Sequence, residues 1–147
     1  MYISYVLILI GYCNPGYNYF NGSCYKKSMT QYNYMDASNY CQGEGANILT
    51  IDDVRESAYI AGQIAPGSQT WLNMMYTPSS GSWTSNSPYR NWLPNEPAAV
   101  SAPSRVVVAS EGGQNGWKVV GESLMAYAIC EKVKKSRYHV TQTHTKL

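Results

Sequence analysis

The spacing of apolar and polar residues predicts two helices in the first half of the chain and strands in the second. Over residues 30–42, apolar or small side chains recur at helical spacing, and Gly43 follows as a stop signal. Asp53, with Glu56 three residues later, has the spacing of a capping box and predicts a second helix to about Gln63. β-prone segments separated by prolines and glycines dominate from Gln69 onward.

Short β-prone segments and one long irregular segment make up the rest of the pattern. The pair Asn21-Gly22 between two such segments indicates a hairpin. Prolines recur over residues 85–104, which predicts a long ordered loop, and residues 111–116 predict a Gly-rich turn. The predicted strands are residues 47–51, 70–75, 81–84, 105–109 and 124–130. Two helices followed by several strands in 147 residues predict a single domain of the α+β class.

The four cysteines favour an oxidising compartment. They allow three pairings, of which Cys13–Cys24 with Cys41–Cys130 is the most economical by spacing. The sequon that begins at Asn21 is a candidate glycosylation site and fits the same compartment, although a tight turn also prefers Asn at that position. We therefore predict a secreted, extracellular protein.

The two ends of the chain differ in composition from the body. Residues 1–12 hold a short apolar run with no basic residue before it and no small-residue cleavage site after it. We interpret them either as a secretory leader whose true start lies upstream or as an N-terminal strand over residues 2–9. The run is too short to span a bilayer, so no transmembrane anchor is predicted. Residues 132–147 are basic and predict a flexible tail, with contact to a membrane or polyanion as the alternative.

Charge and residue types argue against several classes of function. Without the basic tail the body is slightly acidic, so it has no basic face for nucleic acid. Both histidines, His139 and His144, lie in the tail, which leaves the body without an imidazole base. The sequence contains no metal-ligand cluster and no phosphate-binding glycine loop. We predict no catalytic residue; the enzyme alternative is a hydrolase that pairs Glu96 with Glu111 or Glu122.

A series of short motifs, in order along the chain, resembles the C-type lectin-like domain of the long form over residues 13–131. The first half carries Cys13-Asn14-Pro15-Gly16-Tyr17, Ser23-Cys24-Tyr25, Asp36-Ala37, Cys41, Gly45-Ala46 and Ile51. The second half carries Trp71-Leu72-Asn73-Met74, Trp83-Thr84, Asn91-Trp92, Glu96-Pro97, Trp117 and Ile129-Cys130-Glu131. The resemblance implies that the termini meet in a small sheet, that two helices flank it, and that a long loop carries the binding surface. It also implies Cys41–Cys130 as the long-range disulfide and Trp71, Trp83 and Trp92 as core residues.

The resemblance also implies a calcium site in the long loop, and this chain departs from its pattern. The usual Glu-Pro-Asn or Gln-Pro-Asp is here Glu96-Pro97-Ala98, and Trp117 is followed by Lys118-Val119 instead of Asn-Asp. Calcium takes about six to eight oxygen ligands, so we expect no metal ligand and no cofactor, calcium included. The resemblance implies a cis bond before Pro97. The usual inner disulfide is missing as well, which implies a less constrained loop.

These observations predict a secreted recognition protein that binds a carbohydrate or an extracellular protein without calcium. The candidate ligand-binding residues are Glu96, Pro97, Trp117, Lys118 and Tyr89. Tyr76, Tyr89 and Trp117 lie in or beside loops, where an exposed ring could stack on a sugar or anchor a protein contact. The alternatives are a calcium-dependent sugar-binding lectin with a degenerate site and a structural subunit of an extracellular assembly. The sequence does not predict the oligomeric state.

Overall fold

The computed structural model describes residues 3–98, 102–133 and 135–144, with the backbone alone for residues 3–11, 133 and 135–144. Strands and helices follow the α+β arrangement that the sequence predicts. In chain order they are β1 (Ile3–Tyr12), β2 (Asn18–Phe20), β3 (Ser23–Tyr32), α1 (Tyr34–Gly43), β4 (Asn47–Ile48), α2 (Val54–Ala61), β5 (Gln69–Thr77), β6 (Ser82–Thr84), β7 (Ser104–Glu111), β8 (Gln114–Val120), β9 (Ala126–Val133) and β10 (Lys135–His144).

The main sheet is built around β9 and β5. Its strand order is β2-β3-β9-β5-β7-β8, with β4 also paired to β9 and β6 also paired to β5. Strands β5 and β9 are parallel, and the other pairs are antiparallel. Strands β1 and β10 form a separate two-stranded antiparallel sheet. The ends of the described chain therefore meet in a small sheet, as the resemblance implies.

The C-terminal segment differs from the predicted flexible tail. The backbone of Lys135–His144 is a strand, because antiparallel pairing with Ile3–Tyr12 satisfies the peptide groups of both segments. A strand near the N-terminus is one of the two interpretations of that segment, and the secretory leader stays a prediction. Lys134 and Lys146 of the basic segment, and Val100 of the long loop, lie outside the described residues. Within the described part, no helix has the length and apolar character that a membrane span requires.

Both helices begin at side-chain caps. Strand β3 continues to Tyr32, so α1 begins later than predicted, after Asn33, whose Oδ1 accepts the backbone N–H of Asp36 at 2.8 Å. Helix α2 begins at the predicted cap: Asp53 Oδ1 accepts the N–H groups of Arg55 and Glu56 at 2.8 and 2.9 Å. The helix ends at Ala61, slightly before the predicted end.

The N-terminal hairpin and the two disulfides follow the sequence pattern. Asn21 and Gly22 have φ values of 43° and 97°, so both residues of the β2–β3 turn lie in the left-handed region. Disulfides join Cys13 to Cys24 and Cys41 to Cys130, the pairing that spacing favours. Strand β8 was not predicted: it begins at Gln114, inside the expected turn over residues 111–116.

Two hydrophobic clusters cover the two faces of the main sheet. Alternate residues of a strand point to opposite faces, so Val107 packs in the cluster that includes Cys41 of α1, whereas Val106 and Val108 pack in the cluster that includes Ile60 of α2. The second cluster also supports the long loop through the buried ring of Trp117. The sheet therefore holds the loop on a close-packed base.

Candidate ligand-binding face

The long loop is joined to β8 by backbone hydrogen bonds. The N–H of Leu93 donates to the carbonyl of Trp117 at 3.0 Å, and the N–H of Trp117 donates to the carbonyl of Asn91 at 2.8 Å. A Cβ atom at Gly116 would lie 3.0 Å from the Leu93 side chain and 3.1 Å from the Asn91 carbonyl oxygen. Glycine at this position therefore permits the close approach of the two segments. We call residues 83–98 together with β8 the long-loop face.

Glu96 bonds the loop to β8 through its carboxylate. The peptide bond between Glu96 and Pro97 is cis, as the resemblance implies, and Asn95 before it has a positive φ of 65°. Glu96 Oε2 accepts the N–H of Ala98 at 2.8 Å and the N–H of Val119 at 3.1 Å. The side chain therefore fixes the loop conformation, and Pro97 at its tip is exposed.

The other carboxylates considered from the sequence each pair with a cation. Lys118 Nζ lies 2.9 Å from Glu111 Oε1, and both side chains are about half exposed. Arg105 Nε lies 2.8 Å from Glu122 Oε1. An exposed pair such as Lys118–Glu111 contributes little to stability, but both pairs leave Glu111 and Glu122 engaged with their own partners. Among the described residues, no hydrogen bond joins either of them to Glu96.

The residues of the long-loop face do not fit a calcium ion. Glu96 already accepts two backbone N–H groups on one oxygen, and Lys118 places a positive charge where the resemblance implies an Asn-Asp ligand pair. Calcium prefers several carboxylate and carbonyl oxygens around one point. Among the residues that the structure describes, no group of three or more His, Cys, Asp or Glu side chains could hold a metal ion. No step of the proposed function therefore involves calcium.

Five aromatic side chains form a continuous row beneath and along the long-loop face. In the order of contact they are Tyr76, Trp83, Trp92, Trp117 and Tyr89, with ring centroids 5.1, 5.3, 5.6 and 5.8 Å apart in succession. These distances and the tilted or edge-to-face angles are favourable for aromatic pairs. All except Trp117 are half-buried, and Trp83, Trp92 and Tyr89 also pack against the core cluster that contains Trp117. We call these five residues the aromatic row.

Trp117 is a core residue and not an exposed ligand contact. Its side chain is only 1% exposed, and its Nε1–H has no hydrogen-bond partner among the described atoms. The expectation of direct ligand contact at Trp117 is wrong, because the Asn91–Leu93 segment and the rings of Tyr89 and Trp92 cover it. Trp71 is fully buried as expected, whereas Trp83 and Trp92 are only half-buried.

A second group of titratable side chains lies under α2, away from the aromatic row. The Tyr25 hydroxyl donates to Glu56 Oε1, while Glu56 Oε2 accepts the N–H of Asp52 at 2.7 Å. Burial raises the pKa of the Glu56 carboxyl, although these two hydrogen bonds oppose the increase. Burial also raises the pKa of Glu131, whose carboxylate accepts hydrogen bonds from Ser23 Oγ and from the N–H of Thr50. Burial also raises the pKa of the Tyr25 phenol above its ordinary value of 10.0, so the phenol stays protonated.

The structure places most of the predicted site residues on the long-loop face, but it buries Trp117 beneath that face. Glu96, Pro97 and Lys118 lie on the long-loop face, and Tyr89 covers the buried ring of Trp117. Sequence reasoning missed the contribution of Trp83 and Trp92, because the resemblance implies that both are core residues, whereas it did identify Tyr76 as a ring beside a loop. The antiparallel pairing of Tyr76 with Trp83 places both rings next to the loop. The sequence does contain a signal for these rings, because a proline-rich loop directly follows the hairpin that carries Tyr76 and Trp83.

The body combines two helices with a mixed sheet, and a long loop is joined to that sheet. This arrangement is the C-type lectin fold. The chain belongs to the C-type lectin domain family, since the family model described as Lectin C-type domain matches residues 30–132. Human secretory phospholipase A2 receptor is 26% identical over 127 residues, which are 82% of this chain and 9% of the receptor. Mouse CD209 antigen-like protein D is 27% identical over 136 residues, 86% of this chain and 56% of that protein. The chain therefore spans only part of the length of these relatives.

Solved structures share the fold at lower sequence identity. A calcium-independent type II antifreeze protein matches with a TM-score of 0.75 and 19% identity, covering 88% of this chain and 98% of that one. The C-type lectin domain of murine dendritic cell inhibitory receptor 2, solved in complex with N-glycan, matches with a TM-score of 0.74 and 17% identity, covering 84% of this chain and 100% of that one. At these identities the comparison establishes the fold.

Proposed function

We propose that this chain is a non-enzymatic, secreted recognition domain that binds a carbohydrate or an extracellular protein without calcium, through the half-buried members of the aromatic row, Tyr76, Trp83, Trp92 and Tyr89. The observation that carries the proposal is the combination of partly exposed rings with a carboxylate, Glu96, that is committed to backbone N–H groups. Membership of the C-type lectin domain family supports a recognition role. The N-glycan in the complex of a structural neighbour supports carbohydrate as a ligand class to test first.

The exposed parts of the aromatic row are suited to recognition because aromatic rings provide large contact area at low entropic cost. Tyr and Trp are enriched among the residues that dominate binding energies, and a buried contact of this kind is typically worth about 2 kcal/mol or more. Tyr76 and Tyr89 lie at the two ends of the row, and both are half-buried. Their hydroxyl groups add a polar end to each ring. A ligand that spans the row would contact both.

A glycan array with the labelled chain, read with and without a calcium chelator, tests the proposal. We expect the binding pattern to be unchanged by chelator, and the best-binding glycan is then titrated by calorimetry. Tyr76→Ala and Tyr89→Ala should each weaken binding about 30-fold, the equivalent of about 2 kcal/mol. Binding that disappears with chelator would contradict the calcium-free mechanism.

Tyr19→Ala is the matched control, because Tyr19 is an exposed tyrosine on β2, at the opposite edge of the sheet from β8. It should bind like the parent chain. Circular dichroism of all three variants separates a lost contact from a lost fold. Equal affinity in the parent, Tyr76→Ala and Tyr89→Ala proteins would remove the aromatic row from the proposal.

Secretion and glycosylation are part of the same proposal. Asn21 is exposed in the β2–β3 turn, as an attached glycan requires. Expression in a secreting eukaryotic cell, followed by glycosidase treatment and mass spectrometry, tests whether the site is occupied. A mass equal to the unmodified chain would contradict glycosylation at Asn21.

A further inference from the structure

A polar cleft lies between β4, the segment before α2, the middle of β5 and the end of β9. Its volume is about 340 Å³, and a smaller cleft of about 140 Å³ continues it toward α1. The two share the residues Asn47, Ile48 and Asn73. The volume of the larger cleft lies at the lower end of the usual range for small-molecule sites. We call the two together the amide cleft; neither is lined by a member of the aromatic row.

The lining of the larger cleft is almost entirely polar. Its amide, hydroxyl and carboxylate side chains are Asn47, Asn73, Asn86, Thr50, Asp52 and Glu131. Ile48 is the single large apolar residue among the lining residues that the structure describes. Lys132 also lines it, but its ammonium group donates to the carbonyl of Glu44 at 3.1 Å and lies 4.0 Å from the centre of the Tyr17 ring. The charged end of that lysine is therefore engaged elsewhere.

A β-bulge positions the central amide of the cleft. The register of β5 against β7 shifts between Leu72 and Met75, and Asn73 lies in the shifted segment. Bulges re-aim side chains next to binding sites. The N–H of Asn73 donates to the carbonyl of Leu49 at 2.8 Å, which fixes the backbone, while its side-chain oxygen has only a long contact of 3.5 Å with the Tyr34 hydroxyl. Most of its hydrogen-bonding capacity is free for a ligand.

Two further amides of the cleft have no partner in the described part of the chain. The side chains of Asn47 and Asn86 are exposed, and neither makes a hydrogen bond to any described residue. Each asparagine amide offers two N–H donors and one acceptor oxygen. Three amides therefore give the lining of one cleft both donors and acceptors, and hydroxyl groups, which are also donors and acceptors, can pair with either.

We propose that the amide cleft binds a neutral, hydroxyl-rich ligand of the size of a single sugar ring. An apolar ligand would leave most of the polar lining groups without hydrogen-bond partners. An anion would face Asp52 and Glu131 without a free cation, because the Lys132 ammonium is bonded elsewhere. A calcium ion would find Asp52 as the main available carboxylate, since both oxygens of Glu131 already accept hydrogen bonds from Ser23 and Thr50. Hydroxyl groups fit both the amides and the carboxylates.

Side-chain amide NMR of the ¹⁵N-labelled chain tests the inference directly. D-Mannose, D-galactose and N-acetylglucosamine are titrated separately in the presence of chelator. At least one of them should cause saturable shifts of the Asn47, Asn73 and Asn86 side-chain signals, with a Kd of the order of 1 mM. Asn47→Ala and Asn86→Ala should each weaken this binding about tenfold. Both residues are exposed, so the variants are expected to fold.

Asn18→Ala is the matched control, since Asn18 is an exposed asparagine on β2, outside the cleft and outside the long-loop face. It should bind each sugar like the parent chain. Sugars that leave the three amide signals unmoved would overturn the inference, as would an affinity that is unchanged in Asn47→Ala and Asn86→Ala. Shifts of the same signals with calcium chloride alone, without a response to sugar, would also overturn it. Tyr89→Ala should leave the cleft signals responsive, so failure of the aromatic-row proposal and failure of this one are distinguishable.

Discussion

At the scale of single residues, Glu56 combines burial with hydrogen bonding in a way that makes stability depend on pH. Burial raises its pKa above the ordinary value of 4.5, because the charged form loses hydration. The folded protein therefore retains a proton at pH values where the unfolded chain has released it. The free energy of unfolding must fall as the pH rises from about 4.5 through the raised pKa. Glu131, also raised by burial, acts in the same direction.

We predict that Glu56→Gln reduces the fall in the free energy of unfolding that accompanies a rise in pH. Tyr25→Phe should make that fall larger. Gln removes the titrating group but keeps an acceptor for the Tyr25 hydroxyl. Phe removes a donor that lowers the pKa of Glu56, so that pKa should rise further. Urea denaturation at several pH values between about 4 and about 8 measures the slope for each protein. Parallel pH profiles for the parent and both variants would show that Glu56 does not carry the effect.

The roles of individual side chains were only partly predictable from the sequence. The motif Glu96-Pro97 is visible in the chain, but the engagement of Glu96 depends on the N–H of Val119, a residue 23 positions away. Similarly, Trp117 is next to a turn in the sequence, and its burial follows from the return of the loop over β8. Local sequence identifies such residues, whereas their availability to a ligand is decided by tertiary contacts.

At the scale of elements, the contact between the long loop and β8 depends on a glycine. Gly116 does not have a positive φ, so alanine is compatible with its backbone. The added methyl group would nevertheless lie 3.0 Å from Leu93 and 3.1 Å from the Asn91 carbonyl oxygen. Leu93 is buried and has little room to move. The energetic cost of this clash should therefore exceed the stabilisation that alanine gives by reducing the entropy of the unfolded chain.

We predict that Gly116→Ala lowers the free energy of unfolding by about 1 kcal/mol through overpacking. Gly43→Ala is the control, since nothing lies within 4 Å of its added methyl group and the position is helical. That variant should be more stable than the parent by about 0.5 to 1 kcal/mol. Chemical denaturation measures both. A Gly116→Ala protein that gains as much stability as Gly43→Ala would mean that the loop is not held tightly against β8.

The elements were predicted best where a local signal marks their ends. The cap at Asp53 and the Asn21-Gly22 turn lie where the sequence places them, because both are determined by neighbouring residues. The start of α1 was placed too early, because β3 pairs with β9 as far as Tyr32 and that pairing overrides helical spacing. Strand β8 was missed because its polar first residues resemble a continued turn; pairing with β7 makes it a strand.

At the scale of the whole molecule, β9 connects the beginning of the domain to its end. It pairs with β3, β4 and β5, and Cys130 near its centre bonds to Cys41 of α1. Both cysteines are fully buried. The second disulfide joins residues only 11 positions apart and holds the N-terminal hairpin. The two bonds therefore restrict the unfolded chain to very different extents.

We predict that the double variant Cys41→Ala/Cys130→Ala loses more stability than Cys13→Ala/Cys24→Ala. The sequence separations are 89 and 11, and the chain-entropy model gives losses of about 4.5 and about 2.8 kcal/mol. The buried position of the long-range bond adds a packing loss in the same direction, because alanine leaves space in a cluster that includes Trp71. Urea denaturation of the parent and both variants under non-reducing conditions measures which variant loses more stability. If removing the short-range bond costs as much as removing the long-range bond, strain or residual structure and not loop entropy determines the stability of this domain.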